Sequence, residues 1–198
     1  MRQRIWRGHP QITIDPGEFH ATKEPIIIST LLGSCVAACL YDPVRKIIGM
    51  NHFLLSNKRY SKALPVEITE AGRYGIHSME LLINEMIKNG ARKEYLKAKA
   101  FGGGNMLQNS NDSTNFFCVG QVNARFIREY LATEKIPLIA ADLGGDNGRV
   151  IHFSAMDFSV HVRKIQKTYG TEIVQRDEQY WKRSLEKQEK ETTEIDLW

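Results

Sequence analysis

Two side chains of this 198-residue chain are placed for chemistry by type and by spacing: Cys35 and His52, seventeen positions apart. A thiol beside an imidazole is the minimum for cysteine nucleophilic catalysis. The ring accepts the thiol proton, the thiolate fraction rises, and sulfur attacks an electron-poor carbon. Both residues lie in LLGSCVAACLYDPVRKIIGMNHFLL, Leu31 to Leu55. Cys35 follows Gly33-Ser34 and opens one apolar run, His52 sits on the next, and Asp42-Pro43-Val44-Arg45 between them is a turn signal. A tight turn centred on Pro43-Val44 sets Cys35 directly opposite His52, and facing Cβ atoms of an antiparallel pair are roughly 4.5–5.5 Å apart. A longer loop makes the pair diagonal but keeps it on one face.

A catalytic pair also needs an orienting group and an oxyanion site. Asn51 projects to the sheet face opposite His52 and is a poor partner for the same thiol. Ser29 and Thr30, at the end of the preceding strand, are the nearest hydroxyls, and the residue pattern leaves both open. As first residue of its strand, Cys35 borders a loop, where a thiol is expected to be reachable and unpaired backbone N–H groups can stabilise an oxyanion. Cys39, mid-strand between Ala38 and Leu40, and Cys118, beside Phe116-Phe117, read as small core residues. Cys35, Cys39 and His52 are three soft ligands, but C-x-x-x-C on a strand lacks the knuckle spacing of a structural zinc site. Gly102–Gly104 and Gly144-Gly145 match neither the Walker nor the dinucleotide pattern, so turns or close backbone approach account for them.

The elements that must position this pair can be read from periodicity. Residues 1–10 are expected to be an irregular arm, Gln11 to Asp15 a short strand, and Pro25 to Thr30 (PIIIST) a buried β-branched strand. Strands follow over Cys35 to Tyr41 and Ile47 to Leu55. A helix is expected over Glu70 to Asn89, capped by Thr69 and closed by Gly90, with Ile76, Met79, Ile83, Met86 and Ile87 at helical spacing. A second covers Gln121 to Lys135. Further strands are expected at Tyr95 to Phe101, Pro137 to Leu143, Arg149 to Ala155 and Phe158 to Ile165. Mixed strands with two main helices imply an α+β layered sandwich of mixed or antiparallel sheets. Residues 1–168 would form one catalytic domain and residues 169–198 a charged tail, with Tyr180-Trp181 and Ile195 to Trp198 as a partner-binding peptide or a solvated end.

Composition bounds the class. A net charge of +4 spread along the chain reads as a solvated surface and not as a nucleic-acid footprint. Three cysteines do not make a disulfide framework and fit a reduced, cytoplasmic setting. No apolar stretch is long enough for a spanning helix, so no membrane insertion is expected.

Leu32-Gly33-Ser34-Cys35-Val36, Tyr41-Asp42-Pro43 and Met50-Asn51-His52-Phe53 together resemble the CheD family of chemoreceptor glutamine deamidases of bacterial chemotaxis. Arg73-Tyr74-Gly75, Ala100-Phe101-Gly102-Gly103, Asp142-Leu143-Gly144-Gly145 and Gly148-Arg149 extend the likeness in order over Ile12 to Lys164. The resemblance implies a Cys-His-Thr hydrolase with Cys35 as nucleophile and His52 as base. The family threonine, six positions before the cysteine, falls on Ser29, with Thr30 adjacent. It further implies a fold like that of glutamine-deamidating toxin domains, chemoreceptor helices as substrate, a CheC-type phosphatase as regulator in some species, and no metal or organic cofactor. Two readings compete with this enzyme: a non-catalytic binding module for receptor or phosphatase, and a redox or zinc protein.

Overall fold

A computed structural model describes residues 1–55, 70–105, 119–165, 175–180, 182–183 and 186. The expected Thr69 cap, Cys118, Trp181 and the peptide 195–198 lie outside the described residues. Among the described residues, ten strands and two long helices are arranged in three layers. The strands are β1 (Arg2–Trp6), β2 (His9–Thr13), β3 (Phe19–Thr22), β4 (Ile27–Leu32), β5 (Val36–Asp42), β6 (Ile47–Asn51), β7 (Lys97–Gly102), β8 (Leu138–Leu143), β9 (Gly148–Ser154) and β10 (Val160–Ile165). The helices are α1 (Glu70–Lys88) and α2 (Val119–Thr133), with a short 3-10 turn at Lys93–Tyr95.

One mixed sheet has the order β1-β2-β4-β9-β10 and the other β3-β6-β5-β7-β8. The second sheet is the middle layer, and side-chain alternation along β5 shows why it is covered on both faces. Val36, Ala38 and Leu40 pack with Met79, Leu82 and Met86 of α1 and Phe126 and Ile127 of α2. Cys35, Ala37, Cys39 and Tyr41 turn the other way, against Ile28, Leu32, Ile151 and Phe153 of the first sheet. A strand buried on both faces reads as a continuous apolar run, as VAACLY does. Each helix supplies one apolar stripe. Gly90, at φ 100°, ends α1 with its N–H on the Ile87 carbonyl at 2.8 Å.

Three expectations change. The irregular arm is a hairpin, β1 against β2, turning through Arg7 and Gly8, both at positive φ. This is the geometry of a two-residue primed turn, which Arg-Gly does not advertise as Asn-Gly does. β3, a four-residue edge strand on β6, was not expected, because turn signals crowd it on both sides. The β5–β6 connection is a four-residue loop and not a tight turn: Asp42 pairs with Ile47, and the Asp42 carboxylate accepts the Val44 and Arg45 N–H groups at 2.9 Å.

Candidate active site

That longer loop moves the register by two. Leu40 pairs with Gly49, Cys39 with Met50, and beyond the regular ladder Val36 with Phe53. Cys35 therefore lies across from Leu54, and His52 across from Ala37, diagonal to the cysteine on the same face. Diagonal neighbours are roughly 7–8 Å apart at Cα, within reach of an imidazole. Both residues face the gap between the sheets, at its rim.

The first sheet supplies the orienting group. Ile28, Thr30 and Leu32 of β4 point inward, and the Thr30 hydroxyl lies 2.7 Å from His52 Nδ1. The same hydroxyl donates to the Ile14 carbonyl at 2.8 Å, which commits its only proton. It must then accept from His52, so the proton sits on Nδ1 and Nε2 carries the lone pair. Nε2 is buried and has no hydrogen-bond partner among the described residues. Ser29, one residue earlier, points to the outer face and meets His152 Nδ1 at 2.7 Å instead.

Backbone grips the cysteine loop from below. The Gly103 N–H binds the Cys35 carbonyl at 2.7 Å and the Gly104 N–H binds that of Gly33 at 2.8 Å. Gly102 has φ 114°, and a Cβ there would stand 2.1 Å from the Cys35 carbonyl oxygen, so only glycine fits. The buried Arg149 guanidinium binds the carbonyls of Gly102, Asp142 and Gly144 and pairs with the Asp142 carboxylate at 3.2 Å. Asn123 of α2 donates to the Ser34 carbonyl at 2.9 Å and accepts the Leu55 N–H at 2.8 Å. The glycine runs thus hold the cysteine loop.

The expectation of a reachable thiol does not hold: Cys35 and His52 are both 0% exposed. Residues 175–180, helical and part of the expected tail, lie over the rim. Asp177, 1% exposed, receives the Ser34 N–H at 2.9 Å and the Ser34 hydroxyl at 3.1 Å, and it pairs with the Arg176 guanidinium at 3.0 Å. Arg176 donates to the Leu31 carbonyl at 2.8 Å. The Tyr180 hydroxyl meets that of Tyr74 at 2.8 Å and sits above Gly17, where a Cβ would come within 2.4 Å of it.

This cover sets the electrostatics. Burial, then the Asp177 charge, drives the Cys35 thiol well above its ordinary range. Burial, then the Arg176 charge, drives His52 well below its own. With residues 175–180 in place the pair is thiol and neutral imidazole. Sequence reasoning missed three of these residues. Asn123 left a signal, a polar residue on the apolar stripe of α2; Arg149 stands in the Gly148-Arg149 motif of the resemblance but without a role, and Asp177 left none beyond its charge.

The family model described as CheD chemotactic sensory transduction matches residues 55–164, more than half of the chain. A Geobacter sulfurreducens protein named probable chemoreceptor glutamine deamidase CheD 1 is 54% identical over the whole of this chain and 98% of its own. Two Shewanella oneidensis proteins bear the same description. CheD 2 is 46% identical over 91% of this chain and 89% of its own, and CheD 1 is 47% identical over 85% and 79%. No helix among the described residues is long and apolar enough to cross a membrane. The chain belongs to the CheD family.

Proposed function

We propose that this protein is a cysteine-dependent deamidase that converts specific glutamine side chains of chemoreceptor helices to glutamate in the cytoplasm. The observation that carries the reading is the chain of contacts from Ile14 through Thr30 to His52 Nδ1, which leaves the Nε2 lone pair without a partner among the described residues on the face that holds Cys35. The names of the relatives supply the substrate class.

The geometry supports a two-step hydrolysis. His52 Nε2 takes the thiol proton, and the Cys35 thiolate attacks the side-chain amide carbon of the glutamine. Negative charge moves to the amide oxygen, where the Ser34 N–H is a ready donor. The carbon–nitrogen bond breaks, and the nitrogen leaves as ammonia with the proton from the imidazolium. His52 Nε2 then deprotonates a water, which attacks the thioester; the carbon–sulfur bond breaks and glutamate departs. Thr30 keeps the ring in the tautomer that both steps use. No cofactor enters these steps. A CheC-type phosphatase is the second protein partner in this reading, and the layered sheets with a cysteine immediately before β5 support a likeness to glutamine-deamidating toxin domains.

The test is mass spectrometry of receptor peptides incubated with the protein. A gain of about one dalton at glutamine is expected with the native chain and none with Cys35→Ala. Deamidation by Cys35→Ala would refute the mechanism. The sealed thiol is the observation that favours the competing, non-catalytic docking module, and it leads to the next inference.

A further inference from the structure

We infer that residues 175–180 fill the substrate groove as an intramolecular product analogue, the Asp177 carboxylate standing where that of a newly formed glutamate would lie, so that a substrate helix must displace them. The inference rests on the deamidase reading above and adds what the resting site holds and what form of substrate it takes.

A carboxylate differs from a carboxamide only in replacing NH2 by oxygen, so it reports the place of a glutamine amide. Asp177 Oδ2 sits on the Ser34 N–H, the donor a tetrahedral oxyanion needs, next in the chain to the cysteine whose sulfur would attack and close enough for its charge to raise that thiol. A buried carboxylate is costly unless its partners are in place, and here three are. The neighbours of Asp177 are seated too. Arg176 caps the Leu31 carbonyl, and Tyr180, one helical turn beyond Asp177, fits the space that Gly17 leaves and binds Tyr74. Gln175, Gln179, Lys182, Arg183 and Glu186 face solvent. One face of a short helix is therefore built to the groove, and it carries an acid and, three residues later, an aromatic ring. The groove fits a helical substrate with a glutamine at the first of these places and a ring-sized apolar group at the second.

Occupancy also silences the chemistry. While Asp177 holds the Ser34 N–H and Cys35 is wholly buried, no amide can reach either. Beyond burial, the Asp177 charge opposes the thiolate and the Arg176 charge opposes the imidazolium, although Arg176 by itself favours the thiolate.

The decisive experiment uses the full-length chain with Asp177→Asn, which puts an amide in the place of the carboxylate. Peptide mapping should find position 177 returned to aspartate, a gain of about one dalton, and should find it unchanged when Cys35→Ala is added. An amide that persists at 177 in a protein that deamidates receptor peptides overturns the product-analogue placement. A second measurement is alkylation of Cys35 by iodoacetamide. Asp177→Ala should raise the rate at least about tenfold and raise receptor-peptide turnover in parallel, because the competent open state is then no longer a minor one. Equal alkylation rates in the two proteins overturn the displacement. Faster alkylation with no receptor deamidation by either protein upholds the occlusion and overturns the deamidase reading instead.

Discussion

Consecutive residues of β4 make the same contact on opposite faces. Ser29 and Thr30 each place a hydroxyl 2.7 Å from the Nδ1 of a histidine, Ser29 on His152 and Thr30 on His52. What surrounds each pair differs. His152 lies half-buried on the outer face, stacked on Trp6 at 4.3 Å with His161 edge-on to the same indole. His52 is fully buried between the sheets, its partner hydroxyl is tied to Ile14, and a cysteine lies diagonal to it on the same sheet face. A hydroxyl on an imidazole is thus ordinary sheet furniture. In the proposed deamidase it becomes catalytic equipment only where the ring's other nitrogen is free and a nucleophile shares its face.

Substitutions can break that contrast, beginning with the sulfur. Cys35→Ala should lower receptor-glutamine turnover by at least about 10⁴-fold, since the nucleophile has no substitute in the site. His52→Asn should cost about 10²–10⁴-fold in kcat, the range for a lost general base, with a smaller change in KM. Thr30→Val removes the tautomer lock while keeping the side-chain shape. A drop of about 10–100-fold in kcat is expected, with most of it restored in Thr30→Ser. Unchanged kcat in Thr30→Val would erase the distinction between the two hydroxyls.

Acid sharpens the comparison on the stability side. Burial is the first cause that holds both His52 and His152 below the ordinary value of 6.5 in the folded protein. As pH falls below 6.5 the unfolded chain binds protons that the folded chain refuses, so stability declines, by at most about 1.4 kcal/mol per pH unit for each ring. Urea unfolding at pH 7.5 and 5.5 should show that loss reduced more by His52→Asn than by His152→Asn, because His52 is the ring wholly cut off from water. The smallest effect belongs to Ser29→Ala. Turnover should stay within about twofold and stability within about 1 kcal/mol of the native protein, the usual worth of one hydrogen bond.

The layered fold and the same-face pairing of Cys35 with His52 were readable because apolar alternation sets which face a residue takes, whatever the exact register. The loop after Asp42 was not, since Pro43-Val44 suits a tight turn and only the Asp42 side chain, bonded to two following N–H groups, opens it to four residues. Ser29 and Thr30 stayed equal in the sequence because one position decides the face, and the start of β4 is what fixes it. Asp177 could not be found at all. Its segment is rich in Glu, Lys, Arg and Gln, and its partner, the Ser34 N–H, is a backbone group that every sequence offers.

The Ile14 carbonyl gives the amino end of the chain a bearing on turnover. It follows β2, which runs parallel to β4, and it accepts the hydrogen bond that leaves Thr30 able to hold only one form of the ring. Trimming the first fourteen residues, or fusing a rigid partner that pulls β2 from its neighbour, would free that hydroxyl to donate to the imidazole. The lone pair would then pass to Nδ1, turned away from the sulfur, and the imidazole would no longer face the thiol as a base.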